Sequence, residues 1–198
     1  MIVGVLLAAG SGSRFGGGKL LARLADGTPV GVRAARALRA AVDRALAVVR
    51  PGDDALAALL EAEGLEVLPF PGAAEGMGAS LAFGVGAASE ADGWLIALAD
   101  MPWVRTATAS AVADLLRGGA LAAAPSFRGR RGHPVGFGRR LISELSGLRG
   151  DRGAREILSR HAAELAILEV DDNGILLDID DLSDISTGES DIAKKFSA

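Results

Sequence analysis

Short apolar runs alternate with longer amphipathic segments along almost the whole chain of 198 residues. The apolar runs have the length of buried strands, and the amphipathic segments have the length of helices that pack on a sheet. This order is typical of βαβ units around a parallel sheet. The sequence therefore predicts one α/β domain spanning residues 1–198, with three α/β/α layers and a mostly parallel sheet.

The boundaries of the elements follow from the same pattern. Strands are predicted near residues 2–8, 45–49, 65–69, 94–99, 120–124 and 165–170. Helices are predicted near residues 29–41, 53–63, 77–89, 106–117, 138–146 and 152–161, and residues 182–198 as a short last helix or a frayed tail. Asp53 and Thr106 are predicted N-caps, and Gly64 and Gly118 are predicted C-terminal stops.

Composition excludes several classes of protein. The net charge of −4 does not support general nucleic-acid binding. No apolar run approaches the roughly 20 residues of a membrane span, and no basic leader precedes the first run. The chain has no cysteine, so disulfides and thiolate metal sites are excluded. A cytoplasmic protein is expected.

The stretch LLAAGSGSRFGGGKLL, residues 6–21, passes from the first predicted strand directly into a glycine-rich loop. Glycines let successive backbone N–H groups converge on an anion, which makes this loop a candidate site for a triphosphate. The predicted donors are the amides of Gly10, Ser11, Gly12 and Ser13.

The loop also holds an unusual cation. Eighteen of the 21 cationic residues are Arg, and the lysines are Lys19, Lys194 and Lys195. Lys is a compact point charge suited to a phosphate oxygen in a crowded place where a planar guanidinium does not fit. Lys19 and Arg14 are therefore predicted to flank the bound triphosphate.

The loop LAAGSGSRFGGGKLL resembles the signature LAAG-x-S-x-R-[MF]-G-x-x-K-L-L of the small nucleotidyltransferases related to the molybdenum cofactor guanylyl- and cytidylyltransferases. Further segments resemble that family in the same order along the chain. They are EGMGASLAFG (75–84), LADMP (98–102), GHPVGF (132–137), GDRGAREIL (150–158) and LLDIDDLSD (176–184). The resemblance covers most of the chain and implies the nucleotide-diphospho-sugar transferase-like fold.

The resemblance implies transfer of a nucleoside monophosphate from an NTP to a phosphorylated acceptor, with Mg²⁺ as the cofactor and pyrophosphate as the product. It gives catalytic roles to Arg14 at the pyrophosphate, Lys19 at the α-phosphate and Asp100 as a metal ligand. Asp180, or alternatively Asp178, would be the second metal carboxylate. The implied nucleotide-binding residues are Leu7, Ala8, Ala9, Gly10, Ser11, Gly12, Ser13, Arg14, Lys19, Gly76, Met77, Ser80 and His133.

Within the family, LAAG goes with cytidylyl transfer and LAGG with guanylyl transfer, so Ala9 occupies the discriminating place. A methyl group on the floor of the base site would crowd a purine by about 1–3 kcal/mol. CTP is therefore the favoured nucleotide and GTP the alternative. Molybdopterin is the leading acceptor, sugar and alditol phosphates are alternatives, and the resemblance also allows docking to a molybdoenzyme or its chaperone.

Other interpretations stay open. As alternatives to roles in the site, Asp100 would simply be the N-cap of a helix, Asp180 a solvated carboxylate and His133 a packed loop residue. A non-catalytic nucleotide-binding protein on the same fold is a second functional hypothesis. A dinucleotide redox enzyme is a third, although Phe15 stands where a Rossmann fingerprint needs a small residue.

A basic cluster in SFRGRRGHP has two interpretations. It is either a solvated loop or an anion-binding lid for a phosphorylated acceptor, because guanidinium groups bind phosphate in a bidentate manner. Its members are Arg128, Arg130 and Arg131, to which Arg152 and Arg155 could add. Three other side chains also carry expectations. Trp94 is expected in the core, His161 as a cation at a helix end, and Trp103 either in the core or at a substrate ring.

Overall fold

The computed structural model describes residues 1–10, 18–151, 153–181, 183–188 and 190. Its strands are β1 (Ile2–Leu7), β2 (Arg44–Val49), β3 (Glu66–Pro69), β4 (Gly93–Leu98), β5 (Ala122–Phe127), β6 (Arg130–Arg131), β7 (Val135–Gly138) and β8 (Leu165–Glu169). Its helices are α1 (Val30–Arg39), α2 (Asp54–Ala62), α3 (Met77–Gly86), α4 (Thr106–Arg117), α5 (Ile142–Ser146) and α6 (Arg155–Arg160), and residues 183–188 are also helical. Among the described residues, no helix is long and apolar enough to cross a membrane.

The strands form one sheet in the order β3-β2-β1-β4-β7-β5-β6, with β8 on β5. The pairs β3-β2, β2-β1, β1-β4 and β5-β8 are parallel. Strand β7 is antiparallel to both β4 and β5, and β6 pairs antiparallel with β5. The prediction of a mostly parallel sheet is confirmed.

Successive residues of β1 face opposite sides of the sheet, as the pleat requires. Ile2 and Leu6 belong to one apolar cluster, which also holds residues of α1, α2 and α4. Val3 and Val5 belong to the other, with residues of α3, α5 and α6. Two buried faces explain why this strand reads as an unbroken apolar run. The three-layer prediction is confirmed.

Some boundaries differ from the predictions. Strands β6 and β7 were not predicted, because β7 has the sequence Val-Gly-Phe-Gly and two glycines weaken the strand signal. Pairing with β4 and β5 forms this strand. Strand β5 extends to Phe127 rather than ending at 124, and the helix predicted at 138–146 divides into a 3₁₀ turn, Arg139–Leu141, and α5.

One predicted cap is wrong. Arg105, not Thr106, occupies the N-cap position of α4, and Asp172 accepts a hydrogen bond from the Arg105 backbone N–H at 3.0 Å. A carboxylate that is distant in sequence thus replaces the local cap. The stops are confirmed, because Gly118 is the C-cap of α4 and Gly64, with φ +80°, follows the end of α2.

Candidate active site

The carboxyl ends of three neighbouring strands lie in register at one edge of the sheet. Leu7 at the end of β1 pairs with Val48 of β2 on one side and with Leu98 of β4 on the other. Residues two positions further along each strand therefore emerge side by side. They are Ala9, Arg50 and Asp100, and ligands of open α/β sheets bind at such an edge.

Lys19 lies in a 3₁₀ turn, Lys19–Leu21, which is anchored because Leu20 packs against the core. Its Nζ donates a hydrogen bond to Asp100 Oδ2 at 2.8 Å and lies 3.9 Å from Asp180 Oδ1. The Lys19 side chain is 13% exposed, so its charge interactions are screened less than those of surface ions. The predicted catalytic lysine and both predicted metal carboxylates therefore meet at one point.

The segment that carries Asp180 is pinned by a buried carboxylate. Asp172 is 1% exposed and accepts hydrogen bonds from Thr108 Oγ1 at 2.6 Å and from the Gly174 backbone N–H at 3.1 Å. Further along, the Ile179 backbone N–H donates to the Asp100 carbonyl oxygen at 3.0 Å. These bonds fix the path of the chain on both sides of the site.

Asp172 was missed in the sequence because it lies in an acidic tract that reads as solvated surface. The signal that could have found it is Asp-Asn-Gly, residues 172–174, since Asp commonly hydrogen-bonds its own backbone two residues further on in a turn.

Three carboxylates approach one another beside Lys19. Burial raises the pKa of Asp178 above its ordinary value, and the negative charges of Asp100 and Asp180 raise it further. Among the described residues, no three His, Cys, Asp or Glu side chains form a complete metal cage. Mg²⁺ commonly binds one or two carboxylates and completes its shell with phosphate and water oxygens. Asp100 and Asp180, converging on one ammonium group, fit that requirement.

A cavity of about 440 Å³ opens between the end of β1 and the start of α3. Arg50 stands at its rim and donates from Nε to the Ala9 carbonyl oxygen at 2.9 Å. The cavity brings together six of the nine described residues that were implied in nucleotide binding. Its lining residues are Leu7, Ala9, Gly10, Arg50, Ala73, Ala74, Gly76, Met77, Ser80, Leu98, Asp100 and Asp151. A smaller cavity of about 310 Å³ adjoins it and includes Ala8, Gly10, Lys19 and Asp100.

Among the glycines that line this cavity, Gly76 lies closest to atoms of another part of the chain. Its φ of +117° and ψ of −179° lie in a region that is essentially restricted to glycine. A Cβ here would press against the Asp151 carboxylate and come within 2.5 Å of the Gly150 carbonyl carbon. The 150–151 turn is also joined to α3, because the Gly78 backbone N–H donates to the Gly150 carbonyl oxygen at 2.8 Å.

Gly76→Ala is expected to lower stability by about 1–3 kcal/mol through backbone strain and to weaken NTP binding, because the 150–151 turn must move. Thermal unfolding and NTP titration measure the two effects. Gly86→Ala is the matched control on the same helix, since a Cβ at Gly86 meets nothing within 4 Å. Unchanged NTP affinity in Gly76→Ala would contradict the prediction that the position of the 150–151 turn matters for NTP binding.

A second cavity, of about 500 Å³, lies on the other side of Leu7 and shares Leu7, Met77 and Leu98 with the first. Its walls are largely apolar, and its polar side chains are Arg131, His133 and Arg155. Burial lowers the pKa of His133, and nearby Arg131 lowers it further, against an opposing effect of Asp100. His133 is therefore neutral near pH 7 and can serve as a hydrogen-bonding side chain.

The arginines of the predicted basic cluster lie in different places. Arg131 and Arg155 line the second cavity, whereas Arg128 lies over the Phe127 ring at 5.0 Å. Arg130 follows the same hairpin and is exposed outside the cavity lining. Arg152 lies outside the described residues.

Other predicted residues fall as follows. Ser80 is 4% exposed, and its Oγ donates to the Gly76 carbonyl oxygen at 3.2 Å. Trp94 is fully buried in the core, as expected, while Trp103 packs against a small cluster that includes Ile179. His161 ends α6, with Nε2 2.7 Å from Glu144 Oε1. The loop residues Ser11, Gly12, Ser13 and Arg14 lie outside the described residues.

The chain is similar to known proteins over most of its length. A family model described as the MobA-like NTP transferase domain matches residues 4–165. The purine catabolism protein PucB of Bacillus subtilis (strain 168) is 33% identical over 193 residues, covering 90% of this chain and 91% of PucB.

The fold is also similar to that of solved structures. Rv0371c from Mycobacterium tuberculosis H37Rv superposes with a TM-score of 0.82 at 28% identity, over 94% of this chain and 95% of that one. A manganese complex of Rv0371c gives 0.78 at 26% identity, over 94% and 96% of the two chains. A nucleotidyl transferase from Methanothermobacter gives 0.82 at 25% identity, over 98% of each chain.

Proposed function

Because the chain belongs to the family of MobA-like NTP transferase domains, and is a nucleotidyltransferase, we propose that it transfers cytidine monophosphate from CTP to a phosphorylated acceptor, with molybdopterin as the leading candidate. The observation that carries the proposal is the meeting of the Lys19 ammonium with the carboxylates of Asp100 and Asp180 beside two adjoining cavities. Asp100 lines both the first cavity and the smaller cavity that holds Lys19, so a cation for phosphate and two metal ligands adjoin room for two substrates.

In the proposed reaction, an oxygen of the acceptor phosphate attacks the α-phosphorus of CTP. The bond from the α-phosphorus to the bridging oxygen breaks, and pyrophosphate leaves. Negative charge grows on the α-phosphate oxygens, and the Lys19 ammonium stabilises it. Asp100 and Asp180 would hold Mg²⁺, which supplies positive charge and orients the phosphates when bound. The catalytic role of Arg14 at the departing pyrophosphate stays a prediction.

The choice of nucleotide rests on Ala9, which is 4% exposed and lies on the wall of the first cavity. Its methyl group narrows the site and favours a pyrimidine. The manganese complex of Rv0371c supports a divalent cation in this family, and Mg²⁺ is proposed here because carboxylate and phosphate oxygens suit it.

The acceptor is proposed to occupy the second cavity. Apolar walls there suit a flat ring system, and Arg131 and Arg155 suit a phosphate group. The relative PucB is a purine catabolism protein, so acceptors other than molybdopterin belong in the same experiment.

The charge-reversal variants Arg131→Glu and Arg155→Glu are expected to raise the acceptor KM by about tenfold or more, because each loses a charged contact and gains repulsion. The KM for CTP should stay the same, since neither side chain lines the first cavity. Arg130→Glu is the control, with the same charge change outside the cavity. A rise in the KM for CTP with no rise in the KM for the acceptor would mean that CTP occupies the second cavity and the acceptor the first.

The proposed function is tested by pyrophosphate release with each of the four NTPs, with and without molybdenum cofactor, and with sugar or alditol phosphates. Release that requires both CTP and molybdenum cofactor is expected. Release with GTP would make the protein a guanylyltransferase, and release with a sugar or alditol phosphate would replace the acceptor. NTP binding with no release under any condition would indicate a non-catalytic nucleotide-binding protein.

A further inference from the structure

Arg50 belongs to none of the motifs found in the sequence, yet its guanidinium lies at the first cavity. The hydrogen bond from Nε to the Ala9 carbonyl oxygen, 2.9 Å long, fixes the plane of the group. Within the described ranges, no carboxylate forms a salt bridge with Arg50. The Nη atoms of a held, unneutralised guanidinium therefore remain as donors for a ligand in the cavity.

The strand order indicates which part of a nucleotide Arg50 faces. Asp100 follows β4, and Arg50 follows β2, with β1 between them. Neighbouring strands are about 4.8 Å apart, so the two side chains leave the sheet about 10 Å from each other. With the α-phosphate at Lys19 and Asp100, the first cavity leaves room for the nucleoside on the β2 side, because its lining continues from Asp100 past Ala9 to Arg50. The base then lies towards β2, beside Arg50, with Ala73 and Ala74 from the turn after β3 beyond it.

We propose that Arg50 selects the nucleobase by donating two hydrogen bonds to a pair of adjacent acceptor atoms; this inference rests on the proposed function. A guanidinium is a planar fork of donors with no acceptor. Cytosine offers O2 beside N3, and guanine offers O6 beside N7. In uracil a donor N3–H separates the two carbonyl oxygens, and in adenine the amino group stands beside N7. Arg50 therefore favours cytosine and guanine over uracil and adenine.

Arg50 and Ala9 together make a two-part filter. Arg50 rejects uracil and adenine by their hydrogen-bonding pattern, and the Ala9 methyl group disfavours the larger of the two remaining bases. The bond from Arg50 to the Ala9 carbonyl oxygen holds both parts in one fixed geometry. The combination leaves cytosine as the preferred base.

The test measures the affinity of the full chain for CTP, GTP, UTP and ATP by calorimetry, in wild type, Arg50→Gln, Arg50→Lys and the control Arg39→Gln. Arg39 is an exposed arginine on α1 outside the cavity. In Arg50→Gln, affinity for CTP is expected to fall about tenfold or more while affinities for UTP and ATP change little, because a lost charged hydrogen bond affects only the recognised base. Arg39→Gln should match wild type.

Arg50→Lys separates base reading from phosphate binding, because it keeps the charge but loses the planar fork. Loss of the preference for CTP over UTP in this variant supports the inference. Equal weakening of all four nucleotides by Arg50→Gln, or full retention of the preference by Arg50→Lys, would overturn it. If wild type bound no NTP, the proposed function would fail, and the inference with it; retained binding with unchanged base preference rejects the inference alone.

Discussion

The Asp100→Asn variant is expected to lose nucleotidyl transfer by about a hundredfold or more while keeping its fold. Asp100 contributes one of the two carboxylates at Lys19, and the substitution preserves its shape while removing its charge. Its side chain is 26% exposed, and a partly solvated ion pair contributes about 1 kcal/mol or less to stability. Pyrophosphate release and thermal unfolding are the two measurements.

Asp114→Asn is the matched control for this experiment. Asp114 also forms an ion pair at 2.8 Å, with Arg117, but its side chain is 70% exposed on the outer surface of α4. The two variants remove the same charge from the same kind of pair, so a difference in turnover reports the position of Asp100. Turnover like wild type in Asp100→Asn would remove the carboxylate from the mechanism.

The meeting of Lys19 and Asp100 could be anticipated from the sequence. The loop follows the first apolar strand and LADMP ends the fourth, and parallel strands present their carboxyl ends at one edge. Leu7 and Leu98 are paired neighbours, so a residue that follows either strand emerges beside the other. Short-range pattern and the geometry of a parallel sheet were sufficient here.

Arg50 and Asp172 could not be identified in the same way, because their roles depend on chain that is distant in sequence. Arg50 precedes Pro51-Gly52 and reads as an ordinary turn residue until its bond to Ala9 is known. Asp172 reads as surface until the N-terminus of α4, more than 60 residues earlier, covers it. Burial and partners of this kind are properties of the tertiary structure.

The arginines of the predicted basic cluster do not all line one cavity, and the geometry of a β-strand explains why. Arg130 and Arg131 are the two residues of β6, and successive side chains of a strand point to opposite faces. Only one of the pair can therefore face the second cavity, and Arg131 is the one that lines it. Because the sequence did not predict β6, it gave no reason to assign different positions to Arg130 and Arg131.

Lys19→Ala is expected to separate metal binding from catalysis. In wild type the Lys19 ammonium lies between Asp100 and Asp180, so a divalent cation must compete with it for the same oxygens. Removing the ammonium should tighten Mn²⁺ binding severalfold, measured directly by electron paramagnetic resonance. Turnover at saturating metal should still fall by about a hundredfold or more, because the α-phosphate loses a preorganised charge.

The opposite signs of these two effects distinguish a catalytic lysine from a structural one. A lysine that only held the carboxylates in place would, once removed, weaken Mn²⁺ binding and turnover together. Arg23→Ala provides the control, since it removes a nearby exposed cation whose Nη1 donates to the Gly27 carbonyl oxygen outside the site. Weaker Mn²⁺ binding in Lys19→Ala, or turnover equal to that of Arg23→Ala, would show that the charge at Lys19 serves the fold and leaves the phosphate to another cation.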